Sequence, residues 1–236
     1  MGAKSALVIA GFDPSGGAGL LSDVAIFAGK SIDVKSCVTC NTSQNFTKCY
    51  WVEQLPEKQI LNQLNHLLED FRFDGVKIGA FPNLNCLKTC LDSIKEKQPG
   101  IPIVWDPVIK ASKGASFVGD INKEVLIDIL GKIDLITPNR REYNTLKGVL
   151  GMELSELTNT LVTGFMVTDT HITDALLSKK EVLEFTKNMV PGKDIHGSGC
   201  KYSALITAHL ILGNDLVNSI SESSQEMYNL YQTIPC

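Results

Sequence analysis

Short apolar runs alternate along this chain with longer stretches whose apolar positions recur at helical spacing. Residues 6–10 read as a buried strand that ends at Gly11. In residues 20–30, Leu21, Val24, Ala25 and Ala28 share a helical face, and residues 34–39 form a second strand candidate. Residues 56–71 read as a helix with Pro near its start and Ile60, Leu61, Leu64, Leu67 and Leu68 on one side. Gly75–Ile78 reads as a strand and residues 84–98 as a helix stopped by Pro99-Gly100. The alternation continues with a strand over 101–105, a helix over 125–132, a strand over 135–137 and a short helix over 140–147. Residues 165–168 read as a strand, 174–185 as a hairpin, and 200–212 and 216–231 as closing helices. Such alternation predicts an α/β fold with a mostly parallel sheet covered on both faces. No linker rich in Pro, Gly or Ser interrupts it, so residues 1–236 read as one domain.

Polar clusters fall just after the strand ends: Asp13, residues 77–80, Asp106, and Asn139 with Glu142. Open α/β sheets bind ligands at the carboxyl ends of their strands, so the four clusters are expected to line one crevice. Residues 11–19, GFDPSGGAG, link a strand to a helix, and their glycines permit close backbone approach to a ligand. The alternative is an ordinary turn; neither the dinucleotide fingerprint nor the Walker pattern is present. Residues 194–201, DIHGSGCK, precede an apolar helix. A Gly197-Ser198-Gly199 turn there aims backbone N–H groups at one point and suits a phosphoryl group. Cys200, on the first turn, is expected to have a lowered thiol pKa and is a candidate general base; a glycine cap beside a buried Cys is the alternative. Asp106 and Glu142, with Asn139 nearby, could hold Mg²⁺ directly or through water, or else Asp106 and Asn139 simply cap their elements.

Composition narrows the class. The 236 residues are 44 % apolar, ample for a continuous core. A net charge of -4 without a Lys/Arg run argues against nucleic acid, and no apolar stretch is long enough to cross a bilayer. The first residues lead straight into the strand without a cleavage pattern, so no signal peptide is read. Seven scattered cysteines point to free thiols in a reducing cytoplasm. Cys37 and Cys40 form a CxxC without a second ligand pair, and burial as small apolar residues is preferred over zinc.

Six segments occur in a telling order: AGFDPSGGAG with Asp23 beyond it, Ser43-Gln44-Asn45, Val76-Lys77-Ile78-Gly79, Trp105-Asp106-Pro107-Val108, Thr137-Pro138-Asn139 with Glu142, and His196-Gly197-Ser198-Gly199-Cys200. Together they resemble the hydroxymethylpyrimidine and phosphomethylpyrimidine kinase family of the ribokinase-like superfamily. The resemblance implies a three-layer sandwich, with a mostly parallel sheet between helical layers. It implies ATP- and Mg²⁺-dependent phosphorylation of a hydroxymethylpyrimidine, then of its monophosphate, in thiamine biosynthesis, by a homodimer. It would place Gly11, Asp13, Asp23, Gln44, Ala80 and Val108 at the substrate, with Gln44 reading the ring. Asn139, Thr168 and Lys201 would face the nucleotide, Asp106 and Glu142 the metal, and Gly197, Ser198, Gly199 and Cys200 the transferred group.

This chain departs from the family's pattern in places. Phe12 replaces a small hydroxyl residue and Ala80 a Met that packs on the substrate ring. Thr168 replaces a Lys that faces ATP phosphates, and Lys201, where the family has Thr, is a candidate to restore that charge. A pyridoxal kinase, or a relative that binds ligand without turnover, are the alternative readings.

Overall fold

A computed structural model describes residues 2–81, 83–109, 117, 119–190 and 196–233. The chain begins with β1 (Ser5–Phe12), α1 (Gly19–Gly29), β2 (Asp33–Gln44), β3 (Cys49–Gln54) and α2 (Glu57–Asp70). It continues through β4 (Gly75–Ile78), α3 (Leu84–Lys97), β5 (Ile103–Trp105), α4 (Lys123–Leu130), β6 (Leu135–Ile136) and α5 (Arg140–Leu150). Three longer strands follow, β7 (Asn159–Val167), β8 (His171–Leu177) and β9 (Val182–Asn188), before α6 (Ser198–Ile211) and α7 (Leu216–Thr233). All nine strands form one sheet in the order β3-β2-β1-β4-β5-β6-β7-β8-β9. The six strands from β2 to β7 run parallel, and β3, β8 and β9 add antiparallel edges.

Side chains alternate across the sheet and sort the helices into two layers. Leu7 and Ile9 of β1 face a core shared with Leu64 of α2, Leu87 of α3, Leu126 of α4 and Leu146 of α5. Ala6, Val8 and Ala10 face the other way, onto Phe27 of α1 and Ala204 and Ala208 of α6. Small residues on both sides let α6 lie close to β1. Farther along the sheet, Val104, Leu135 and Leu161 meet Leu205 and Ile206 of α6 and Ile220 and Met227 of α7. The expected arrangement of a mostly parallel sheet between helical layers is therefore present.

Two elements differ most from the sequence reading, beyond shifts of bounds such as that of β2, which runs on to Gln44. β3 was not foreseen. It is an edge strand whose Tyr50 and Trp51 point to solvent, so it lacks the buried alternation that marks a strand. Its hairpin is closed by Asn45, whose Oδ1 accepts from Thr47 N, Thr47 Oγ1 and Lys48 N. β7 begins at Asn159 rather than at residue 165. Its first half is rich in polar residues, yet Thr160 is fully buried, because its hydroxyl donates to Thr158 O.

Candidate active site

A cavity of about 740 Å³ opens at the carboxyl ends of the parallel strands. It runs across the sheet from Gln44 at the end of β2, past Ala80 after β4 and Asp106 after β5, to Asn139 after β6 and Thr163 in β7. The end nearer β2 is apolar: Ala80, Phe117 and Val108 cluster with Cys40 and Val52, and Phe12 also lines it.

The loop after β1 is folded by Asp13. Its Oδ1 accepts from Ser15 N at 2.8 Å and Ser15 Oγ at 2.7 Å, and its Oδ2 from Ala18 N at 2.9 Å. Oδ2 also lies 3.2 Å from His196 Nε2. Burial pushes the Asp13 carboxyl up, but the bonds from Ser15, His196 and Ala18 together outweigh it and hold the group below its ordinary value. Asp13 is thus an organiser of the loop as well as a cavity wall. Gly197 adopts φ +75°, and a Cβ there would collide with Gly17 O. The loop after β1 and the loop that opens α6 therefore meet backbone to backbone. Lys201 fastens the joint, with Nζ donating to Gly17 O and, at 3.3 Å, to His196 O.

α6 begins without a side-chain cap, and Gly197, Ser198, Gly199 and Cys200 all line the cavity. The start of the helix thus presents uncapped backbone donors and partial positive charge to whatever the cavity holds. Asp106 stands beside them, accepting at 3.4 Å from Ser203 Oγ. Burial raises the Asp106 carboxyl, against the pull of Lys77. Glu142 caps the start of α5, where Oε2 accepts from Asn139 N at 3.0 Å and Oε1 from Ile109 N at 3.4 Å. Burial, and then the charge of Asp106, push Glu142 up to about 8. Asp106 and Glu142 thus share this region, and the charge of one disfavours the charge of the other.

The expected fall in the Cys200 pKa is corrected. Cys200 opens partly on the cavity, yet burial, followed by the charge of Asp106, pushes its thiol up to about 12. A helix terminus is worth about 0.3–1 kcal/mol. Desolvating an ion costs several kcal/mol, and burial wins.

The model of the family described as Phosphomethylpyrimidine kinase matches residues 13–232. The chain belongs to the phosphomethylpyrimidine kinase family. A hydroxymethylpyrimidine/phosphomethylpyrimidine kinase of Aquifex aeolicus is 32 % identical over 228 residues, covering 91 % of this chain and 89 % of that one. A phosphomethylpyrimidine kinase structure from Clostridium difficile superposes with a TM-score of 0.77 at 26 % identity, covering 96 % and 99 % of the two chains. A pyridoxal kinase from Staphylococcus aureus in complex with ADP gives a TM-score of 0.83 at 22 % identity, covering 98 % and 89 %, and shares the ribokinase-like fold.

Most residues expected from the family's motifs converge on the cavity. Gly11, Asp13, Gln44, Ala80 and Val108 line it, as do Asp106, Asn139, Glu142 and Gly197 through Cys200. Three others do not line it. Asp23 is fully buried in α1, where Oδ2 accepts from Lys77 Nζ at 2.6 Å. Burial pushes Asp23 up to about 6; at Lys77 burial pulls the amine down, but the charge and hydrogen bond of Asp23, together with Cys200 and Asp106, outweigh it and keep the amine protonated. Thr168 is exposed in the turn from β7 to β8 and donates from its N to His171 O at 2.9 Å. Lys201 is turned toward the loop after β1 rather than into the cavity. Asp194 and Ile195 lie outside the described residues. Arg140 and Arg141, which line the cavity, were not singled out from the sequence. The available signal was two adjacent cations in the first turn of a helix, where cations are disfavoured.

Proposed function

We propose that this family member transfers the terminal phosphoryl group of ATP to a hydroxymethylpyrimidine, to its monophosphate, or to both in turn. The observation that carries the reading is the continuity of one cavity: an apolar end with Gln44, uncapped helix amides and Cys200 at its middle, and Asn139 and Glu142 beyond them. Gln44 offers both amide donors and a carbonyl acceptor, enough to match a ring nitrogen and its exocyclic amine. Asp106 and Glu142, two neighbouring carboxyls whose ionised forms are disfavoured as they stand, suit a divalent cation that would restore their charge. So does Thr137 Oγ1, buried on the cavity wall with no hydrogen-bond partner among the described residues. Asp106 and Glu142 would hold Mg²⁺, which supplies charge neutralisation across the phosphate oxygens. The amides of Gly197–Cys200 would cradle the transferring group, and Cys200 Sγ would accept the proton of the attacking hydroxyl.

The reading includes a homodimer and a cytoplasmic setting. β3 leaves an open edge with Tyr50 62 % and Trp51 52 % exposed, an arrangement that invites pairing. The described cysteines are free, which supports a reducing compartment. No described helix is long and apolar enough to cross a membrane.

The test is ADP release measured with Mg²⁺ and each of three acceptors: the aminopyrimidine alcohol, its monophosphate and pyridoxal. The reading expects one or both pyrimidines to be turned over well ahead of pyridoxal. Preference for pyridoxal would transfer the assignment to that vitamer, and inactivity with all three would sink it.

A further inference from the structure

ATP and a phosphorylated pyrimidine bring several negative charges into the cavity together. Among its described lining residues, Asp13, Asp106 and Glu142 are acidic, and Arg140 and Arg141 are the permanently cationic ones. Two nearby lysines among the described residues are engaged elsewhere: Lys77 is fully buried on Asp23, and Lys201 is bound to the carbonyls of Gly17 and His196. Arg140 and Arg141 open α5 directly after Asn139, and both are exposed. Neither side chain has an ion pair or hydrogen bond among the described residues. Both sit at the positive end of a helix, which disfavours cations. Folding alone therefore gives these two guanidinium groups no counter-charge, whereas an anion in the cavity would.

Position along the sheet says which anion. Gln44 and Ala80 mark the β2–β4 side of the cavity, the arginines lie at the β6–β7 side, and the Gly197–Cys200 turn is also on the cavity wall. We propose that Arg140 and Arg141 form a guanidinium clamp for the polyphosphate of the nucleotide donor. This rests on the kinase reading. It assigns the donor's charge to residues other than Lys201 and Thr168. A guanidinium presents paired N–H groups to phosphate oxygens and is always charged, so it suits this role better than a mobile ammonium.

The test is calorimetric binding of Mg²⁺ with AMP-PCP, which needs no turnover. It compares the unaltered protein, Arg140→Ala, Arg141→Ala and the double variant, each at two salt concentrations. Removing a charge-assisted contact is expected to weaken AMP-PCP roughly tenfold for each arginine engaged. The double variant should also lose part of the salt dependence. Binding of the uncharged pyrimidine alcohol should be unchanged, as should thermal unfolding, since removing a cation from a helix start does not weaken the helix. Unaltered AMP-PCP affinity in the double variant overturns the clamp. Loss confined to the monophosphate acceptor overturns the donor assignment and moves the arginines to the acceptor. An unaltered protein that fails to bind AMP-PCP overturns the kinase reading and the clamp with it.

Discussion

Cys200 carries the most demanding chemistry proposed for a single residue, and its surroundings set conditions on it. A thiol pushed up to about 12 is almost wholly protonated at neutral pH. As a base for the alcohol it is limited by its small thiolate fraction, so the alcohol reaction should quicken as pH rises. The monophosphate brings an oxygen already ionised near neutral pH and requires no such help. Cys200→Ala should therefore slow the alcohol reaction by roughly a hundredfold or more and remove its rise with pH, while sparing the monophosphate. Steady-state rates with both acceptors over a pH series check this. Equal losses would mark Cys200 as a packing residue. Some cavity positions were legible in the sequence because they sit in dense, specific strings, as Gly197 and Asp13 do. Others were not. Asp23 and Lys77 are 54 positions apart and meet only in the fold, and adjacent arginines at a helix start read as solvated surface.

At the scale of elements, the site depends on the contact between the loop after β1 and the start of α6. Asp13 ties that joint together from one side and Lys201 from the other. The folded-state pKa of Asp13 lies below its ordinary value of 3.8. A depressed acid pKa contributes stability that is present above the unfolded value and is lost as pH falls through the folded one. The stability gap between the protein and Asp13→Asn should thus be widest above about pH 5 and close progressively below about pH 4. Urea unfolding across that range measures it, and a gap that stays constant or widens in acid would contradict the role given to Asp13. The elements themselves were legible where burial is complete: β5 is a continuous apolar run, β1 is one from Ala6 to Ala10, and β4 is buried throughout with Lys77 as its charged residue. β3 and the first half of β7 were not, because one is solvated on most of its positions and the other buries Thr160, whose hydroxyl is satisfied by Thr158 O.

For the whole molecule, parallel strand order turns scattered motifs into one surface. Asp13, Ala80, Asp106 and Asn139 are far apart in sequence, yet each follows a neighbouring strand of β1, β4, β5 and β6, which places them side by side. On the proposed reading the same order separates an acceptor end at β2–β4 from a donor end at β6–β7, with Asp106 following β5 between them. ADP release alone does not distinguish transfer across this cavity from idle hydrolysis of ATP by water. Phosphorus-31 NMR does. With ATP, Mg²⁺ and the pyrimidine alcohol or its monophosphate, the account predicts a new phosphate ester or a new pair of coupled diphosphate resonances on the pyrimidine, appearing in step with ADP. ADP accompanied only by inorganic phosphate, with the pyrimidine unchanged, would contradict it.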